Sequence, residues 1–387
     1  MIITHLVLAS GLLMQPGQGA PQTKQAKDQE RFQREIDEDK KMGKEASDYY
    51  DRELRPTKDL DSQLRVERIG ARLAAVANSR GFDTTWGDKR HAQFEYKFKV
   101  VDGKDINAFS LPGGSIYVYQ GLVDFVQSDD ELAGVLAHEI CHASQRHIAW
   151  IRREQEKLAP IQIPLILASI FSGGSNGAAG IAGSQLIGTA ATNGWSVKAE
   201  TSADLGGAQL TVATGYDATG MLTFMERLQA AQGALTGSID LGIFKTHPPS
   251  SARARKIEEF MQKNNLLIRR SVVAYDFRAN YVAEDSGDVT LFFGKRPLFK
   301  IGGPNKLERA KSLTGTLNEY FDRVPEMYEV TAGQDGAVYA KNRTLISLTT
   351  ADAAANSMTL PDLQEHAAKR IRASLFSLAY HIWEGRG

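Results

Sequence analysis

The chain has 387 residues, 42% hydrophobic and 24% charged, with 46 acidic against 46 basic side chains. That length holds two or three domains with substantial cores, and the composition excludes wholesale disorder, collagen and coiled coil. Zero net charge argues against a general nucleic-acid binder, and a single cysteine, Cys141, excludes an intramolecular disulfide framework and a multi-cysteine metal cluster.

Residues 1–20 contain a short apolar run, Leu6 to Met14, followed by Pro16 and small residues. This pattern fits the apolar region and cleavage zone of a secretory signal, although no Lys or Arg precedes it, so an exported protein is expected. The run is shorter than the roughly 20 apolar residues that span a bilayer. Gln22 to Arg55 is dense in charge and reads as a solvated helical arm. Leu64, Ile69, Leu73 and Val76 lie at helical spacing and predict a packed helix. Gln93 to Val101 alternates as a strand, and Ala108 to Tyr119 carries a Pro-Gly-Gly turn into a second strand.

Ser128-Asp-Asp-Glu131 has the form of a capping box and opens a helix expected to run about 25 residues. Leu158 to Val197 has no charged residue. It reads as two buried or half-buried helices joined by the SGGSNG segment, with a membrane-touching hairpin as the alternative. Helices follow over 217–233 and 250–264. From about Ile268 strand-like runs (VVAYDF, DVTLFF, PLFKI, MYEVTA, TLISL) alternate with helices near 304–321 and 360–383. GKRPLF at 294–299 echoes KNRTLI at 341–346, a weak internal duplication.

The chemistry concentrates at His138-Glu139-Ile-Cys-His142. Helix residues four apart lie roughly 40° apart in projection and one turn along, so both imidazoles can face one metal ion with Glu139 beside them as a general base. Two histidines need a third protein ligand. His147, five residues past His142, lies on a different helix face. Glu200-Thr-Ser-Ala-Asp204 fits better: Glu200 can ligate, and Asp204, one turn on, can accept the second N–H of a ligand histidine. Cys141 points off the metal face and reads as packing.

These residues resemble the HtpX-type and BepA-type zinc metallopeptidases, relatives of the CAAX prenyl endopeptidases, over roughly residues 35–262. Five blocks match in order: Asn107-Ala-Phe109 with Leu111-Pro-Gly-Gly114, the HExxH helix through Arg146-His147, Glu200 through Asp204, Gly215-Tyr216-Asp217, and Thr246-His247-Pro248-Pro249 with Arg253. The resemblance implies one zinc ion per chain held by His138, His142 and Glu200, with Glu139 as base and Asp204 behind a ligand. It also implies that His247 approaches from a loop, either to stabilise the oxyanion or to occupy the fourth position and hold the enzyme latent. Asn107, Phe109, Gly113, Gly114 and Arg253 are candidate substrate-binding residues. Family members often carry Arg three residues before the glutamate ligand; here that position is Val197, followed by Lys198, which leaves the glutamate's salt bridge unassigned.

The expected fold is α+β: a mostly helical gluzincin domain (61–265) with a small sheet beside the HExxH helix, preceded by the arm (21–60). A small C-terminal α/β domain (268–387), strand-strand-helix twice, follows. The expected activity is zinc-dependent hydrolysis of misfolded or misassembled exported polypeptides in a bacterial periplasm. No nucleic-acid partner is expected; peripheral contact with a membrane or an outer-membrane assembly is left open, as is oligomeric state. The alternative is a latent zinc protein acting as a chaperone-like binding factor.

Overall fold

The structure, a computed structural model, describes residues 24–156, 195–234, 247, 251–285 and 287–379. The signal-like segment, nearly all of the uncharged stretch from 158 onward and the extreme C-terminus lie outside the described residues. Among the described residues no helix is long and apolar enough to cross a membrane.

The chain opens with α1 (Lys24–Glu53) and α2 (Leu60–Ser79). The arm is not simply solvated. α1 buries Ile36, Met42, Ala46 and Tyr50, the last three in a cluster with Phe109, Leu111 and Tyr117. Its apolar positions are few but share one stripe, which tertiary packing uses despite the charge around them. α2 begins at Asp59, whose side chain accepts the amides of Asp61 and Ser62.

A three-stranded sheet follows, formed by β1 (Lys97–Val101), β2 (Ala108–Ser110) and β3 (Ser115–Tyr119) in the order β1-β3-β2. β3 pairs parallel with β1 and antiparallel with β2. Its two edges differ. The outward groups of β1 are taken by the Gln63 amide, which accepts from Val100 N at 2.7 Å and donates to Phe98 O at 2.9 Å, and by Thr57 N, which donates to Val100 O. At β2, Asn107 O accepts from Tyr119 N and Leu111 N donates to Ser115 O. Alternation therefore turns the backbone groups of Ala108 and Ser110 outward.

α3 (Gln120–Phe125) leads to α4 (Asp129–Ser144), the central helix, packed by α2, β2, α6 (Trp195–Ala213) and α7 (Thr219–Ala234). Ser128 Oγ accepts the Glu131 amide as expected, but the Glu131 carboxylate accepts from Gln127 N and Arg227. Gly134 allows α7 to approach, since a Cβ there would meet Met221 Cγ at 2.6 Å. The expected 25-residue helix breaks. Arg146 takes φ 58°, and α5 (His147–Glu156) starts afresh. Left-handed backbone costs roughly 1 kcal/mol for such a residue. The offset comes from the Arg146 guanidinium, which is buried against Asp39, Asp88 and Glu35.

α8 (Ser251–Lys263) covers α6 and α7. The VVAYDF run, expected as a strand, instead forms the short helix α9 (Arg270–Val273) and a 3-10 turn at Tyr275–Phe277. Tertiary anchors override its β propensity: Arg270 is buried on Glu226 and Glu258, and Ser271 N and Oγ both donate to Asp322.

Beyond it lie two antiparallel three-stranded sheets. The first comprises β4 (Ala279–Ala283), β5 (Val289–Phe293) and β6 (Arg296–Ile301); the second comprises β7 (Val330–Ala332), β8 (Ala337–Ala340) and β9 (Arg343–Ser347). They share a core with α10 (Lys306–Asp322), α11 (Thr350–Ala355) and α12 (Leu360–Ala379). β4 and β8 are strands beyond the expected strand-strand-helix order. The echoing segments occupy the same place in each sheet, at the second hairpin, and both sheets carry a register shift there.

Candidate metal centre

α4 presents His138 and His142 on one face, and α6 crosses it with Glu200. His138 Nε2 and His142 Nε2 lie 2.9 Å apart. Glu200 Oε1 is 3.3 Å from His142 Nε2, and its Oε2 is 3.4 Å from His138 Nε2. His247 joins them, its Nδ1 3.1 Å from both Glu200 oxygens and 3.3 Å from His138 Nε2. One ligand atom from each of these four residues falls within 4.8 Å of the others.

Glu139, 1% exposed, turns Oε1 toward His247 Nε2 at 3.4 Å. Neither atom has a hydrogen-bond partner. Three imidazole nitrogens and a carboxylate that converge in this way, with two buried polar atoms left over at the same spot, suit zinc in ligand type and number. Glu139 is a further carboxylate beside them.

Behind these four residues lies a second layer. Asp204 Oδ1 sits 2.9 Å from His138 Nδ1. Arg253 donates to both Asp204 oxygens, at 2.6 and 2.8 Å, and lies 3.1 Å from Glu200 Oε2. Val197, by contrast, is 58% exposed. The arginine beside Glu200 thus comes from α8. On the other side, His147 Nδ1 lies 2.9 Å from His142 Nδ1, and His147 Nε2 is 3.0 Å from the Trp86 carbonyl.

The charges are coupled. Burial disfavours a charged His138, but Asp204 and Glu200 outweigh it and lift its pKa to about 10. His142, buried beside that charge, is pushed well below its ordinary value. Burial would raise Glu200, yet His247 and Arg253 hold it well below the usual carboxylate range. Asp204 is held at about 2, burial being outweighed by Arg253.

The candidate substrate residues are mostly committed elsewhere. Phe109 is buried and stacked on Tyr117, with ring centroids 5.0 Å apart. Gly113 and Gly114, at φ 84° and 102°, form a turn packed on α1 and on Phe94. The Arg253 guanidinium is spent on carboxylates. Phe109 and the Gly113-Gly114 turn are thus held in packing contacts with Tyr117, α1 and Phe94. Asn107 is buried with its Oδ1 unpartnered. Cys141 is buried, as packing requires.

Residue patterns did not single out an apolar pocket that opens beside Glu139, lined by Gly134, Val135, Met221, Phe224, Met225 and Leu228. Only the helical spacing on α7 hinted at it. Nor did they assign His147 as a neighbour of His142, although its place in the Arg146-His147 pair drew attention to it.

The profile of peptidase family M48 matches residues 62–261, and that of a domain of unknown function (DUF8459) matches residues 288–377. The chain is 33% identical over 202 residues to the beta-barrel assembly-enhancing protease of Yersinia pestis, covering 50% of this chain and 38% of that protein. It is 30% identical over 234 residues to mitochondrial metalloendopeptidase OMA1 of Schizosaccharomyces pombe, covering 58% and 62%. To metalloprotease LoiP of Escherichia coli it is 28% identical over 215 residues, covering 54% and 78%. The chain spans about two fifths of the length of the beta-barrel assembly-enhancing proteases it matches.

Proposed function

The chain belongs to peptidase family M48, and from that premise we propose that it is a zinc metalloendopeptidase acting on exported polypeptides. The observation that carries the reading is the convergence of His138, His142 and Glu200 with Glu139 buried beside them, its Oε1 without a hydrogen-bond partner.

His138, His142 and Glu200 hold one zinc ion. When bound, zinc supplies a Lewis acid that acidifies water and polarises a carbonyl. Glu139 takes the proton of the attacking water and delivers it to the leaving amine. His247 Nε2, beside Glu139, is placed to donate toward the developing oxyanion, a contribution of about 3–4 kcal/mol where such donors have been removed. Asp204, clamped by Arg253, orients His138. The closed edge of β1 leaves β2 as the edge on which an extended substrate pairs, with Asn107 Oδ1 as an acceptor; Ala108 and Ser110 are buried in this structure, so that edge has to be uncovered first. The pocket lined by Met221, Phe224, Met225 and Leu228 takes an apolar substrate side chain.

Residues 1–20 direct export, 61–265 form the peptidase domain, and 268–387 form a separate module. Substrates are misfolded or misassembled exported proteins in a periplasm; the name shared by the Yersinia pestis and Escherichia coli relatives places those proteins in beta-barrel assembly. A second reading is supported by His247 Nδ1, which is as close to the Glu200 carboxylate as a ligand is. With His247 as fourth ligand the site is closed and the protein latent, binding clients without cleaving them.

The test is zinc stoichiometry on the full chain, with cleavage of an unfolded protein by wild type and Glu139→Gln. One zinc per chain is expected in both, with cleavage slowed at least 100-fold in the variant. Equal cleavage by a folded, zinc-loaded variant would remove Glu139 from the chemistry. Zinc-loaded wild type that binds but never cleaves would favour the latent reading.

A further inference from the structure

The contact between His142 and His147 continues into a chain of groups that ends at a carbonyl. We infer that His147 is a positioning residue that selects the tautomer of His142, and that the Trp86 carbonyl selects that of His147. The inference rests on the reading of His142 as a metal ligand.

A carbonyl oxygen only accepts. His147 Nε2 lies 3.0 Å from Trp86 O, so a neutral His147 carries its proton on Nε2. Its Nδ1 is then an acceptor. That atom is 2.9 Å from His142 Nδ1, which must donate. His142 is left with its lone pair on Nε2, the atom that faces Glu200 and His138. A metal ligand needs that tautomer.

The surroundings hold this geometry from three sides. Gly87, at φ 107°, lets the loop close on the ring: a Cβ there would lie 2.8 Å from His147 Cδ2. Thr85 N and Trp86 N both donate to Ser202 Oγ, at 3.0 and 3.1 Å, and Ser202 Oγ donates to Gln145 Oε1 at 2.7 Å. Ser202 stands between Glu200 and Asp204 on α6, so the helix that brings the third ligand also fixes the carbonyl. From α1, Glu35 and Asp39 hold Arg146, the residue before His147, in its left-handed turn. Asp88 N donates to Gln145 O at 2.9 Å and closes the loop over the break.

The experiment compares full-length wild type, His147→Leu and His147→Gln, loaded with zinc and separately with cobalt(II). The Gln amide can accept from His142 and donate to Trp86; Leu can do neither. His147→Leu is expected to release zinc to a chelator about 10–100-fold faster and to change the visible cobalt spectrum, and His147→Gln to return release to within about threefold of wild type. Release at the wild-type rate from His147→Leu, or equally fast release from both variants, overturns the inference and assigns His147 to packing. If His147→Leu does not fold, long-range proton–nitrogen correlation on labelled wild type decides. Protons on His142 Nδ1 and His147 Nε2 support the inference; a proton on His147 Nδ1 overturns it. Wild type that takes up no zinc defeats the metal reading instead, and the same spectrum of that chain still reports His147.

Discussion

The Arg253 guanidinium grips both oxygens of Asp204, at 2.6 and 2.8 Å, and lies 3.1 Å from Glu200 Oε2. One buried cation therefore serves both the proposed ligand of α6 and the carboxylate behind His138. Arg253→Lys keeps the charge but loses the planar fork that makes two parallel bonds. Faster zinc release is expected, about tenfold, with the fold retained. Arg253→Met leaves two buried carboxylates without their cation and is expected to cost about 3–5 kcal/mol in denaturant unfolding. Unchanged zinc release in both variants would show that Asp204 and Glu200 hold their places without it.

The pocket beside Glu139 predicts selectivity. Its α7 wall is Met221, Phe224, Met225 and Leu228. Shape matching to one apolar side chain is worth about 1–3 kcal/mol of transition-state discrimination. Phe224→Ala is expected to lower kcat/KM about tenfold or more for the preferred peptide and to shift preference toward bulkier side chains. A peptide library cleaved by both proteins checks this; an identical profile would detach the pocket from specificity.

The closure of β1 predicts a stability effect far from the candidate metal centre. Gln63 accepts from Val100 N and donates to Phe98 O. Gln63→Leu strips both partners from the strand edge, at a cost of about 1–3 kcal/mol. Urea unfolding measures it. A freed edge also pairs with other strands, so concentration-dependent association is expected in the variant and not in wild type.

Asp352 predicts a pH dependence in the C-terminal unit. Its carboxylate accepts from Gly302 N, Thr349 N and Oγ1, and Arg309. Burial would raise its pKa, but Arg309 and these donors hold it below the model-compound value of 3.8. A carboxylate with a depressed folded pKa stabilises the fold above its unfolded pKa, and that stability is lost as pH falls through the folded one. Asp352→Asn is thus expected to lose about 3 kcal/mol at neutral pH. The gap to wild type should narrow below about pH 4. A gap that stays constant down to pH 3 would mean that the hydrogen bonds matter and the charge does not.

Much of the site was legible because its signals are local. The spacing of His138 and His142 depends only on helical geometry, and Glu200 and Asp204 stand one turn apart on another helix for the same reason. The break at Arg146 was not legible. A left-handed arginine is unfavourable by itself and is held there by Asp39 and Glu35, about a hundred residues earlier in the chain. The arm read as solvated for a related reason: its few buried positions acquire meaning only when Phe109, Leu111 and Tyr117 are beside them. The same packing buries the Phe109 side chain against Tyr117.

The sequence by itself pointed to the family through its ordered motifs, to His138 and His142 as candidate ligands through helical spacing, and to Glu200 through the resemblance of its motif. Tertiary structure alone decided which arginine neutralises Glu200, which histidine stands behind His142, which sheet edge is closed and what lines the pocket beside Glu139. Each of these is a contact between side chains far apart in the chain. Such contacts follow from how helices and strands pack, and no spacing along the sequence encodes them.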